Sequence, residues 1–568
     1  MKKRIIALIL MSLLIIGLLP AGALAEEATE AAYLAGNPED VAAVILHTND
    51  VHVAFQDNIG YDGLALYRRE LEQQYSHVLL IDAGDAIQGA PIGSISKGAE
   101  PIRMMNRLGY DLAVTGNHEY DFGLEGLDDC AEALSCGYTC ANFCTSDGAP
   151  VFAPWRMLEA GELKLAFIGV VTPTVFTKSA IKDIVDDTGA PMYDFLADTS
   201  GDRLAAALQG YIDEARAQGA DLVILVSHLG RSDAGEQFNC DAIVGKLTGL
   251  DMVIDGHSHE TFNRTVTDKD GNELPTAQTG TGLRSIGQLS IYKDGHIEEK
   301  LVDTVPRSDT LPCVSVIRKG RERFVDPDVK QFLDDIVASY APMMERKIGE
   351  APCDFLLTDS EGRDMQSAEN GLCDLVADAY RTIGKSQIGY LNSASVREEL
   401  HAGTVTYNSV LSLLPYSNEI VTVKIGGQTL LDALEFGASL LPSYGARFPQ
   451  VSGIRFCVDL GIESSVKCDE NNQFVSVDGP RRVYDVTVDG KPLDPDAEYT
   501  LSASTFLLAG GDGYTMFQDL EQISTTMMVD NEVVMRYIEE NLGGVIPESY
   551  SQAQGRIVQS GEALAAAA

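Results

Sequence analysis

Five short apolar runs recur through the first half of the chain, and each breaks off into residues that include Asp, Asn, His or Gly. VAAVIL (41–46) leads to Asn49-Asp50-Val51-His52, HVLLIDA (77–83) to Gly84-Asp85, and DLAVT (111–115) to Gly116-Asn117-His118-Glu119. DLVILV (221–226) precedes Ser227-His228, and DMVID (251–255) precedes Gly256-His257-Ser258-His259. Apolar runs of this length, separated by amphipathic stretches, predict buried strands alternating with helices, an α/β layering over residues 40–320. Residues 326–347 read differently. Val329, Phe332, Ile336, Val337 and Tyr340 fall near helical spacing behind Pro327, which predicts a connecting helix that breaks near Pro342. From 348 to 560 the chain is rich in turn signals: Gly426-Gly427, Asp459-Leu460-Gly461, Asp489-Gly490 and Gly510 to Gly513. These predict hairpins in a second, α+β domain.

The chemistry lies where the strands end. Five of the nine histidines (His52, His118, His228, His257, His259) stand just past the apolar runs, beside Asp, Asn or Gly. In open α/β sheets active sites form at the carboxyl edge of the strands. Carboxylate, imidazole and amide ligands together suit zinc, manganese, iron or cobalt better than calcium. Two such divalent ions roughly 3.5–4 Å apart clamp the attacking and leaving oxygens of phosphoryl transfer, with one aspartate between them. Asp85, alone in its segment, suits that bridge. Each segment alone has a plain reading, a surface pair or a turn; the ordered series of five is what points to a dimetal site. His77, His296 and His401 lie outside it.

Composition narrows the partners. The formal charge is −42. Residues 1–25 carry a basic start (Lys2-Lys3-Arg4), an apolar stretch from Ile5 to Leu19 and Ala23-Leu24-Ala25, the marks of a cleavable signal peptide. Removing those three basic residues would leave −45. Such an acidic chain is not expected to bind nucleic acid or an anionic membrane, and no later segment reads as a stable membrane anchor. The expectation is a secreted protein acting on a small molecule, with oligomeric state left open. Ten cysteines are present; Cys457 and Cys468, flanking an expected hairpin, are the best candidates for a disulfide.

These motifs resemble the secreted 5′-nucleotidase/UDP-sugar hydrolase family, a branch of the calcineurin-like metallophosphoesterases, over nearly the whole mature chain. His47 to His52, Gly84-Asp85 with Gln88-Gly89, Gly116 to Glu119 with Asp121, His228, and Gly256 to His259 carry the likeness. It implies a four-layer αββα metallophosphoesterase domain joined by a helix to an α+β substrate-binding domain. It implies that Asp50, His52, Asp85 and His259 hold one ion, and that Asp85, Asn117, His228 and His257 hold the other. Many relatives carry Gln where His259 stands. The resemblance makes His118 the residue that steadies phosphoryl charge or protonates the leaving oxygen, with Asp121 holding its ring.

In the second region, Asn392-Ser393-Ala394-Ser395-Val396-Arg397 resembles the family's Asn-Gly-Gly-Gly-Ile-Arg segment, matching at Asn392 and Arg397. By resemblance, Arg397 contacts phosphate or ribose. Leu414 to Asn418 supplies one base-stacking aromatic, Tyr416, along with Asn418. Phe506 supplies the other, and Asp512 accepts ribose hydroxyls. Stacking on two rings is worth about 1–3 kcal/mol per base and discriminates little between bases. A family arginine is missing: Ala368 stands before Glu369, and Arg363 upstream is the candidate replacement. The expected reaction is hydrolysis of nucleoside 5′-monophosphates to nucleoside and phosphate by metal-generated hydroxide. The rivals are a 2′,3′-cyclic phosphodiesterase/3′-nucleotidase, a UDP-sugar pyrophosphatase and a non-catalytic nucleotide binder.

Overall fold

The computed structural model describes residues 37–173, 175, 192–231, 237–416, 418–469, 472–518 and 520–560. The signal-peptide reading of residues 1–25 lies outside them. The apolar runs become strands of two six-stranded sheets. In the first, Val41–Thr48, Val78–Asp82, Leu112–Val114 and Tyr138–Thr139 run parallel in that order. Ile286–Tyr292 and Ile297–Val302 extend it antiparallel. In the second, Leu163–Val171, Leu222–His228, Met252–Ile254 and Glu273–Thr279 run parallel. Thr261–Thr267 and Trp155–Ala160 edge it antiparallel.

Why the runs are apolar on both faces follows from this stacking. On the first strand Ala43 and Ile45 face the second sheet, where they meet Leu165, Phe167 and Ile224. Their neighbours Val44 and Leu46 face an outer helical layer that includes Leu64, Leu71 and Met105. On the far side, helix Asp202–Ala217 closes the second sheet through Leu204, Leu208 and Ile212. The layers are thus helix, sheet, sheet, helix.

Helix Pro327–Met344 follows, capped by the Asp326 carboxylate, which accepts from the backbone of Asp328 and Val329. It does not break at Pro342. That proline sits in the last turn, where the helix runs on only to Met344. Lys347, expected in this helix, instead starts strand Lys347–Ala351. Val329, Leu333 and Ile336 are buried in the core of the first domain, so the helix is fixed to that domain.

The second domain is built on a five-stranded mixed sheet in the order Pro449–Ser452, Ile388–Asn392, Glu498–Ser504, Glu419–Gly426, Gln522–Val529. Helix Gly371–Gly384 packs on it, and a four-stranded sheet adjoins it. Of the expected hairpin turns, Asp489-Gly490 is one: both residues have positive φ (49° and 74°), joining Val483–Val488 to Lys491–Pro492. Gly426-Gly427 is instead a strand-to-helix junction, opening helix Gly427–Gly437. Asp459 to Gly461 leaves one sheet for another. All ten cysteines are unpaired, Cys457 and Cys468 included; those two lie on strands of different sheets. Among the described residues no helix is long and apolar enough to cross a membrane.

Candidate dimetal active site

Adjacent strands of the first sheet deliver Asp50 and His52, then Asp85, then Asn117 and His118, each just beyond its carboxyl end. The second sheet delivers His228 at the end of one strand and His257 and His259 beyond the next. The seven expected ligands therefore converge from both sheets on one edge. The backbone there is unusual. Asp50, His52, Asp85, His257 and His259 all have positive φ, between 50° and 77°. Non-glycine residues rarely adopt this region, and such conformations cluster where function holds the chain in place. Two glycines make room for the convergence. A Cβ on Gly116 would lie 2.2 Å from Asp85 Oδ1, and one on Gly84 would lie 2.5 Å from the Gly116 nitrogen.

The donor atoms face one another. His228 Nε2 lies 3.1 Å from Asp85 Oδ2 and 3.9 Å from Asp50 Oδ1. His259 Nε2 lies 3.4 Å from Asp50 Oδ1, and His52 Nε2 lies 3.8 Å from Asp85 Oδ2. Ligand atoms of Asp50, His52, Asp85 and His259 form one group within 4.8 Å, and those of Asp85, His228 and His257 another, with Asp85 in both.

Hydrogen bonds fix which nitrogens carry lone pairs. His228 Nδ1 donates to the Ala83 carbonyl at 2.7 Å and His52 Nδ1 to the Gln88 carbonyl at 2.9 Å. In the neutral rings Nε2 is then the bare nitrogen in both. Yet His52 Nε2 sits 3.0 Å from His259 Nε2, and His228 Nε2 faces a carboxylate without hydrogen-bond geometry. Positive charge between the donors would favour this arrangement. Protons can supply it: burial works against the charge, but Asp85 and Asp50 hold His228 up at about 10. Burial likewise opposes ionisation of Asp85, which His228 and His118 nonetheless keep well below the usual carboxylate range. Divalent ions can supply it as well. The mixed carboxylate–imidazole donor set, with the outer nitrogens already anchored, fits two of them.

His118 stands beside this cluster. Its Nδ1 is 2.6 Å from Asp121 Oδ2, and its ring edge meets His52 with centroids 5.3 Å apart. Burial lowers its pKa, but Asp121 and Asp85 outweigh that and lift it to about 9.

Residues without an assigned role in the sequence reading tie the ligand loops together. The buried Glu119 carboxylate accepts from the backbone of Asp85, Ala86 and Gly116 at 2.9, 2.9 and 2.6 Å. Asn49 bonds Asp50 Oδ2 on one side and the Gly280 carbonyl on the other. Asp255 accepts from Ser227 Oγ and Gln278 Nε2, bracing the strands that carry His228 and His257. Glu119 and Asn49 fall inside the sequence motifs; only their role as acceptors or bridges of loop backbone was hidden, because the partners Asp85, Ala86 and Gly280 are remote in sequence.

The second domain closes over the cluster. A cavity of roughly 320 Å³ is lined by the metal-side residues Asp85, Asn117, His118, His257 and His259. From the other domain it receives Asn392, Arg397, Tyr416, Asn418, Phe506 and Asp512. All the expected substrate contacts therefore share one space with the ligands. Tyr416 stacks on His118, with centroids 6.0 Å apart and planes at 17°, and Arg397 lies over the Tyr416 ring at 6.0 Å. Asn418 Oδ1 is buried without a hydrogen-bond partner among the described residues. Arg363 does not line this cavity. It is exposed and paired with Asp359 at 2.7 Å, so it does not replace the missing arginine. A wider cleft of roughly 700 Å³ opens between the domains from His52, His118 and His259, with Arg284, Lys319 and His401 on its walls.

The likeness to known proteins covers both domains. Residues 43–261 match the calcineurin-like phosphoesterase family, and residues 347–519 match the 5′-nucleotidase C-terminal domain. A 5′-nucleotidase of Vibrio cholerae is 27% identical over 536 residues, 88% of this chain and 90% of that protein. Protein UshA of Escherichia coli is 24% identical over 88% of this chain and 90% of its own length. The crystal structure of a 5′-nucleotidase precursor from Thermus thermophilus shares the fold, with a TM-score of 0.68 and 23% identity over 91% of this chain and 99% of that one. With the dimetal geometry and both domain matches in hand, the chain belongs to the metal-dependent phosphoester hydrolases that join a calcineurin-like domain to a 5′-nucleotidase C-terminal domain.

Proposed function

We propose that this protein is an exported hydrolase that converts nucleoside 5′-monophosphates to nucleoside and phosphate. The observation that carries this reading is the shared cavity, where metal-side histidines and the aromatic, amide and carboxylate groups of the second domain line one space of nucleotide dimensions. Asp50, His52, Asp85 and His259 would hold one divalent ion, and Asp85, Asn117, His228 and His257 the other. When bound, the ions supply positive charge to the phosphoryl oxygens and generate the nucleophile from water at neutral pH.

The chain's own groups do the rest. Arg397, on the second domain's wall of the same cavity, offers a planar pair of donors to phosphate. His118, held by Asp121, carries the proton that the departing nucleoside oxygen takes up. Phe506 and Tyr416 flank the base, and Asp512 accepts from ribose hydroxyls. Export rests on the basic, apolar and small-residue pattern of residues 1–25.

Chelation followed by reconstitution tests this. Stripped protein is expected to release no phosphate from 5′-AMP, and turnover should return with added manganese or zinc. Nucleotide binding without turnover at any metal loading would instead establish the non-catalytic binder.

A further inference from the structure

The strand Ile388–Asn392 ends in the short turn Ser393–Ser395 at the cavity wall. There Ser395 Oγ donates to Asn392 Oδ1 at 2.6 Å, and Asn392 Nδ2 donates to Asp512 Oδ2 at 2.6 Å. All three residues line the cavity that holds the metal-side histidines. The direction of this relay is fixed by chemistry. An ionised carboxylate only accepts, so the Asn392 amide must turn its NH2 to Asp512. Its oxygen then faces Ser395, whose hydroxyl must donate. Asn392 is only 2% exposed, so water has little access to satisfy that oxygen in place of the serine. Asp512, at the far end, has φ of 52° and stands between Gly511 and Gly513 in a tight turn, where the backbone alone does little to aim its carboxylate.

We infer that Ser395 is a positioning residue for sugar specificity. By holding the Asn392 amide in one orientation, it keeps one oxygen of Asp512 engaged and the carboxylate directed into the cavity, where it accepts from the vicinal hydroxyls of a ribose. The substrate class that follows is ribonucleoside rather than 2′,3′-dideoxyribonucleoside 5′-monophosphates. The resembled family segment has glycine at this position, so the hydroxyl anchor belongs to this chain. Without it the amide oxygen loses its donor, and the carboxylate is left with a partner that is held less firmly.

This inference rests on the nucleotidase reading, and the test separates the two. Wild-type, Ser395→Ala and Ser395→Thr proteins, each loaded with manganese, are compared on 5′-AMP and 2′,3′-dideoxy-AMP. One lost hydrogen bond corresponds to roughly a threefold to tenfold effect. Ser395→Ala should therefore raise KM for 5′-AMP by about that factor and shift kcat less, with KM for the dideoxy substrate little changed. Ser395→Thr, which keeps the hydroxyl, should restore the ribose preference. Equal KM changes on both substrates, or no change on either, would overturn the role of Ser395 while leaving the nucleotidase reading intact. Failure of Ser395→Thr to rescue would also overturn it. Absence of phosphate release from both substrates by wild type marks failure of the nucleotidase reading itself, and the inference falls with it.

Discussion

On the proposed reading, Asp85 and His118 have different tasks, one holding both ions and the other serving the reaction beside them. Asp85 alone belongs to both ligand groups, whereas His259 belongs to one and is partly exposed. Asp85→Asn is therefore expected to lower the divalent-ion content, read by elemental analysis, more than His259→Gln does. The reverse order would contradict a bridging role for Asp85. His118 contacts the cluster but lies in neither ligand group. His118→Asn should keep the metal content and lose roughly 100- to 10,000-fold in turnover, the range of a general acid. These residues were legible because ligand types at the ends of apolar runs are a pattern in one dimension. The tautomers of His52 and His228, the backbone bonds of Glu119 and the left-handed φ of five ligands were not, because each depends on partners brought up by the other strands.

At the scale of elements, the strands of the first domain were readable because burial on both faces leaves no polar interruption. The turns of the second domain were harder. A glycine pair marks a change of direction, but whether a strand or a helix follows is set by packing, as at Gly426-Gly427. The helix after the first domain was readable by its period, and its last residues were less so, because Pro342 removes only one backbone donor and the helix continues two residues past it to Met344. One element carries its own pH signature. Asp530 opens helix Asp530–Arg536, and burial pushes its carboxyl up to about 7, against hydrogen bonds from Asn531 and Asn418. Because the folded state holds this proton more tightly than the unfolded chain, the associated stability is full below the ordinary carboxylate pKa. It is lost as pH rises through about 7. Wild type should lose Tm between about pH 5 and about pH 8 more steeply than Asp530→Asn, and parallel curves would contradict the assignment.

Across the whole molecule, the proposed reaction draws on both domains. Ser94 Oγ and Gln88 Nε2 of the first domain both donate to the Pro415 carbonyl of the second, at 2.8 and 3.4 Å. The next residue, Tyr416, lies on His118. On the proposed reading these contacts open for substrate entry and product exit, with the change of angle taken up after Met344, where the helix fixed to the first domain ends. A photo-crosslink from position 94 into residues 412–416 should leave metal content intact and abolish multiple turnover; full activity in the crosslinked protein would refute an opening motion. A surface this acidic gives no general attraction for an anionic substrate. Binding then depends on local charge: the ions, His118, Arg397 and the basic residues of the wider cleft.

Phosphate release from 5′-AMP, 3′-AMP, 2′,3′-cyclic AMP and UDP-glucose, compared side by side on manganese-loaded protein with and without chelator, tests the central claim most directly. Chelator-sensitive release is expected, with the highest kcat/KM on 5′-AMP. A higher kcat/KM on the cyclic or 3′ ester, or on the sugar nucleotide, would contradict the placement of the nucleoside in the cavity of Tyr416, Phe506 and Asp512.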